Sequence, residues 1–80
     1  MTNATRTFAA ISNDGTVILK ARGKAGAAQK VIDALHQYRA DVKAASGMLH
    51  GNPLSMGSIQ VDGITVASLG GYYVAEDLAA

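Results

Sequence analysis

Arg6-Thr-Phe-Ala-Ala-Ile-Ser-Asn-Asp-Gly-Thr-Val-Ile-Leu-Lys-Ala-Arg22 decides the fold. Asp14-Gly15 stands between two runs of β-type residues, Arg6–Asn13 and Thr16–Arg22. Asp-Gly in that setting is a strong hairpin signal, because a two-residue type I′ turn needs positive φ at both central positions. Such a turn sets Ser12 opposite Val17, Ala10 opposite Leu19 and Phe8 opposite Ala21. Alternation along a strand then divides the side chains between two faces. Phe8, Ala10, Val17, Leu19 and Ala21 are assigned to the core. Thr7, Ala9, Ile11, Ile18, Lys20 and Arg22 are assigned to the outer face, where Ile11 and Ile18 form an apolar cross-strand pair beside a basic strip.

Gly23-Lys-Ala-Gly26 breaks the strand, and 27–45 follows with helical period. Val31, Leu35, Tyr38 and Val42 fall on one stripe, which Ala28, Ile32 and Ala45 widen. Lys30, Asp33, Gln37 and Asp41 lie away from it. Lys43 suits the negative end of the helix dipole, and Gly47 is placed as the stop. Residues 46–58 read as a long loop that holds Gly47, Gly51, Gly57, the single Pro53 and the apolar Met48, Leu49, Leu54 and Met56. A loop of that length in a small domain is usually functional or mobile. Asp62-Gly63 repeats the hairpin logic, with Val61 opposite Ile64 and Ile59 opposite Val66, so these four residues make a second apolar face. Gly70-Gly71 and Tyr72-Tyr73-Val74 read either as a further turn and a fifth strand or as a bulge, and 76–80 as an acidic tail or a helical turn.

The predicted fold class is therefore α+β. A small antiparallel sheet of four or five strands packs against one helix, in the order β-β-α-β-β with an optional last strand. Eighty residues suffice for a single domain over 1–80 and no more, with 1–5 expected to fray. Hydrophobic residues make up 49% of the chain, too many for a disordered one, yet aromatics are only 5%. The core must then rest on Val, Ile and Leu. The chain contains no cysteine, which excludes disulfides, thiolate nucleophiles and Cys-based metal sites. Its apolar runs are too short to span a membrane, and the N-terminus lacks the order of a signal peptide. The expectation is a soluble, cytoplasmic protein with no membrane association.

Charge is split along the chain. All seven basic residues, Arg6, Lys20, Arg22, Lys24, Lys30, Arg39 and Lys43, precede position 44 and face only Asp14, Asp33 and Asp41 there, a net +4. Asp62, Glu76 and Asp77 leave the remainder at −3. A chain of net charge +1 is thus a basic half joined to an acidic one, which points to work done by presenting surfaces. The strip Lys20, Arg22, Lys24 has the alternation of one strand face. It reads as a solvated face that also guards a sheet edge, or as a contact for an acidic protein surface or for nucleic acid. Gly23-Lys24-Ala25-Gly26 has the form of the GxxG loop that clamps nucleic-acid backbone, but that loop joins two helices and here a strand precedes it. A flexible strand-to-helix connection is the better reading. His36 and His50 lack the spacing of a metal site or a neighbouring nucleophile. Glu76 and Asp77 lie near Tyr72 and Tyr73. Adjacent tyrosines on a strand point to opposite faces, so one is expected inside and the other is a binding candidate, since Tyr is enriched at interface hot spots.

Ser12-Asn-Asp-Gly-Thr-Val-Ile-Leu-Lys-Ala-Arg-Gly23, Gly26-Ala-Ala-Gln-Lys-Val-Ile-Asp-Ala-Leu35 and Ile59-Gln-Val-Asp-Gly-Ile-Thr-Val66 together resemble the hairpin–helix–hairpin plan of some small phage-encoded anti-CRISPR proteins that inhibit type I systems. The resemblance covers most of the chain and lies in element order, with no shared motif from which site residues transfer. It implies a non-enzymatic inhibitor that binds the type I surveillance (Cascade) complex and blocks target-DNA recognition or nuclease recruitment; the expectation carried forward is contact with a Cas subunit and a block of target-DNA binding. Many such inhibitors are strongly acidic DNA mimics, and the near-neutral balance here departs from that. The expected partner-binding residues are Lys20, Arg22, Lys24 and Lys30 on one side and Tyr72, Glu76 and Asp77 on the other, with no catalytic residue, metal or cofactor. The alternative is a small nucleic-acid-binding accessory protein that uses the basic N-terminal half. Either a monomer or a homodimer is compatible with this pattern.

Overall fold

The computed structural model describes residues 5–46, 56–67 and 72–80. The element order is β1 (Arg6–Ile11), β2 (Val17–Gly23), α1 (Ala25–Ser46), β3 (Ser58–Val61), β4 (Ile64–Val66) and α2 (Ala75–Ala79). The four strands form one antiparallel sheet in the order β2-β1-β3-β4. The α+β architecture follows the sequence. The first strand lies in the middle, between its hairpin partner and β3.

The two Asp-Gly turns differ. Asp62 and Gly63 both have positive φ (53° and 84°), the geometry of a type I′ turn, and Val61 pairs with Ile64 and Ile59 with Val66 as the sequence predicts. At the first turn only Gly15 is left-handed (φ 90°), while Asp14 is not. The Gly15 amide donates to Ser12 O at 3.1 Å and the Ser12 amide donates to Thr16 O at 2.8 Å. The loop is therefore three residues, Asn13-Asp14-Gly15, with glycine at the left-handed position. Ile11 rather than Ser12 then faces Val17. A register shift between Ala10 and Ile11 leaves Ile18 unpaired and restores Ala10–Leu19 and Phe8–Ala21. The extra loop residue and the bulge cancel, so the register away from the turn is the predicted one.

Near the turn the face assignment changes. Val17 and Leu19, expected in the core, are 52% and 39% exposed, whereas Ile18, expected outside, packs against the core. A bulge places two successive residues against one on the partner strand and interrupts alternation. That moves Val17 to the outer face and Ile18 toward the core; Leu19, beyond the bulge and opposite Ala10 as predicted, keeps the helix side and is exposed because β2 is an outer strand. Ile11 keeps its place on the outer face beside Val17, but it is buried.

α1 packs across one face of the sheet. Ala28, Val31, Ile32 and Leu35 are fully or nearly fully buried against Phe8, Ala10 and Ile59, with Tyr38, Val61 and Val66 at the margin. The predicted stripe holds through Tyr38. Val42 is half-buried and Ala45 is exposed, because the stripe outruns the four-stranded sheet at the C-terminal end. The helix starts two residues before the predicted Ala27, where Lys24 O accepts the Ala27 and Ala28 amides at 3.0 and 3.1 Å. It ends at Ser46, one residue into the predicted loop, and Ser58 at the other end belongs to β3. The rest of that loop, apart from Met56 and Gly57, lies outside the described residues, as do the proposed stop at Gly47 and the Gly70-Gly71 turn. The frayed-end expectation also lies outside them except at Thr5, which is exposed.

Residues 72–74 form no strand, and 75–79 take the helical alternative. α2 packs beside α1 and adds Ala75, Leu78 and Ala79 to the core. Ile64, read as core, is 71% exposed at the outer strand β4. Among the described residues, no helix is long and apolar enough to cross a membrane.

Candidate functional site

The sheet has two unlike faces. One is covered by α1. The other carries Thr7, Ala9 and Ile11 from β1, Lys20 and Arg22 from β2, and Gln60 from β3, since residues two apart share a face. Val17 joins them as the partner of Ile11. A small depression of about 130 Å³ lies on this open face, lined by Thr7, Ala9, Val17, Lys20, Gln60 and Gly63. Its floor is Ala9, which pairs with Lys20 on one side and Gln60 on the other and retains only 7% exposure between them. No aromatic side chain lines it. The Arg22 guanidinium donates from Nη1 to Thr7 Oγ1 at 3.4 Å, a long contact that holds it over the same face.

A polar clasp lies at the end of the sheet where β1 begins. The Arg6 guanidinium donates to Asp62 Oδ2 at 3.1 Å and to Ala80 O at 2.9 Å. The Thr7 amide donates to Asp62 Oδ1 at 3.0 Å. The Asp62 carboxyl is held below its ordinary range, first by that amide and then by Arg6. These contacts tie the β3–β4 turn to β1 and to the end of α2. They join the basic and acidic halves of the sequence at a structural rather than a binding contact.

The sequence-predicted residues separate into two groups. Lys20 and Arg22 lie on the open face, two residues apart on an outer strand, with Lys24 exposed just beyond in the turn into α1. Lys30 is exposed on α1, in the layer that covers the other face, so it is not part of that strip. Glu76 and Asp77 are exposed in the first turn of α2, and Tyr72, 75% exposed, precedes them. Tyr73 is the inward tyrosine; its hydroxyl donates to Val66 O at 3.2 Å and its ring packs on the core. His36 is exposed on α1, and His50 lies outside the described residues. Among the described residues no three His, Cys, Asp or Glu side chains are grouped as metal ligands.

Gln60 and Val17 belong to the open face without having been singled out for it. Gln60 was legible, because its apolar neighbours Ile59 and Val61 point to the helix and alternation sends it to the other side. Val17 was concealed by the bulge. Arg39 carries no outward signal in the sequence, yet it is buried and donates from Nη2 to Gly57 O at 3.4 Å.

No family model, no curated protein and no solved structure matches this chain.

Proposed function

We propose that the chain is a non-enzymatic binding protein whose contact surface is the open sheet face with its basic rim, and that it acts in the cytoplasm as a phage-type inhibitor of a type I CRISPR surveillance complex. In this reading the protein docks on a Cas subunit and prevents the complex from binding target DNA. The observation that carries the binding reading is the open face itself. A four-stranded sheet leaves one side without a packed layer among the described residues, and the side chains there include the cations Lys20 and Arg22, with the Asp62 carboxylate at one end within electrostatic reach of Arg22. The depression is small compared with the pockets of several hundred Å³ that enclose small molecules, so it suits a macromolecular surface better than a metabolite. The anti-CRISPR identity rests on the resemblance in element order.

Tyr72, Glu76 and Asp77 form a second exposed group of mixed aromatic and acidic character, suited to a basic surface on the same partner. The nucleic-acid alternative shares the cations of the open face but lacks an aromatic on which bases could stack.

The test is a pull-down of tagged protein against purified type I surveillance complex, followed by target-DNA binding. Wild-type protein is expected to retain the complex and abolish its DNA binding. Lys20→Glu/Arg22→Glu/Lys24→Glu is expected to lose both effects while keeping its fold. Recovery of nucleic acid without any Cas protein would sink this reading.

A further inference from the structure

β2 is an outer strand, and among the described residues no strand lies beyond it. Which of its main-chain groups are free follows from β1. Thr7 O accepts the Asp62 amide at 2.8 Å, so the N–H and C=O of Thr7 face β3. Successive residues of an antiparallel strand direct these groups to alternate sides. Those of Phe8 and Ala10 therefore face β2, where their partners are Ala21 and Leu19. Ala21 and Leu19 turn their hydrogen-bonding groups inward, and Lys20 and Arg22 turn theirs outward. Among the described residues, the β2 positions that turn their main-chain donors and acceptors to the unpaired edge thus include the two that carry the cations of the open face.

A strand added at this edge would exchange main-chain hydrogen bonds with Lys20 and Arg22, and its residues directly opposite them would share their face. The residue opposite Leu19 would lie on the helix side, next to a leucine 39% exposed. We propose that the β2 edge takes an acidic extended segment of a protein partner as an added strand, with carboxylates opposite Lys20 and Arg22. In antiparallel direction the segment reads Glu-x-Glu followed by an apolar residue. This deepens the binding reading given above and rests on it.

Charge complementarity selects the occupant. A second copy of β2, paired in any register centred on Lys20, on Arg22 or between them, sets cation against cation, and like charges directly opposite are destabilising. A nucleic-acid strand offers no peptide groups to the open edge. An acidic segment satisfies both the edge and the cations.

The test uses the whole chain and a ten-residue peptide containing Glu-Ala-Glu-Val, with Gln-Ala-Gln-Val and Lys-Ala-Lys-Val counterparts and an oligothymidylate. Amide hydrogen exchange is read residue by residue, and affinity by titration. The acidic peptide is expected to slow exchange at the Lys20 and Arg22 amides. The glutamine peptide should bind roughly tenfold more weakly, as loss of two cross-strand ion pairs implies. Lys20→Glu/Arg22→Glu should invert the preference toward the lysine peptide, a gain that a merely unfolded variant could not show. Equal binding of acidic and glutamine peptides, protection by oligothymidylate instead, or no slowing at either amide overturns the proposal. Retention of a surveillance complex without protection of Lys20 and Arg22 sinks strand addition but leaves the binding reading standing. Peptide protection without retention sinks the inhibitor reading instead.

Discussion

Asp14 and Asp62 both begin an Asp-Gly pair, and both carboxyls are stabilised in the charged form by neighbouring donors. The Ser12 hydroxyl, then the Thr16 side chain and amide, lower Asp14 from the usual 3.8 to about 2. A carboxyl depressed in the folded chain contributes stability that is present above 3.8 and lost as pH falls through about 2. The melting temperature is therefore expected to drop across that window, and Asp14→Asn to flatten part of the drop in a pH series of thermal melts. Asp62 adds to the slope in the same direction. The Arg6–Asp62 ion pair is about one-third and one-half exposed, so its own worth is below about 1 kcal/mol. Gly57 is a sterner case. A Cβ there would stand 2.6 Å from Ile11 O and 2.8 Å from Leu35 Cδ1, and φ is 108°. Overpacking and a left-handed backbone together put Gly57→Ala at about 2–4 kcal/mol of destabilisation, measurable by urea unfolding.

At the level of elements, the first hairpin is where sequence and structure part and rejoin. The three-residue loop and the bulge at Ile18 are both local, and they cancel beyond Ala10 and Leu19. Val17→Ser should then change stability by less than about 0.5 kcal/mol, while Ile18→Ser should cost about 1 kcal/mol or more. The simple alternating strand would give the opposite order, so one pair of denaturation curves decides between them. The helix was legible because Ala28, Val31, Ile32 and Leu35 repeat at its period. The second hairpin was legible because Asp62 tolerates positive φ before a glycine. The open face was half legible: Lys20 and Arg22 announce it by alternation, but Val17 does not, because a bulge is set by loop closure rather than by hydrophobic pattern. Helix formation in 75–79 was also ambiguous, since five residues hold too little periodicity to separate a turn from a tail.

For the molecule as a whole, α2 is a five-residue helix that docks on the core through Ala75, Leu78 and Ala79. Leu78→Ala is expected to cost about 2–3 kcal/mol and to speed amide exchange in 75–79. That loss would separate the group Tyr72, Glu76, Asp77 from a fixed position while leaving the open face intact, so a partner that uses both surfaces should be weakened without being released. The central place of β1 also bears on how the chain is made. When residues 1–46 have left the ribosome, the first hairpin and α1 can associate, yet one side of Phe8-Ala9-Ala10-Ile11 still lacks β3. Pairing of β1 with β3 spans about fifty residues of chain, and closure over such a separation is slow. A nascent chain paused before Ser58 would present that apolar strand with unmet hydrogen bonds. The rate of translation through the segment between α1 and β3 thus becomes a determinant of yield, and slow synthesis there should favour aggregation over a functional product.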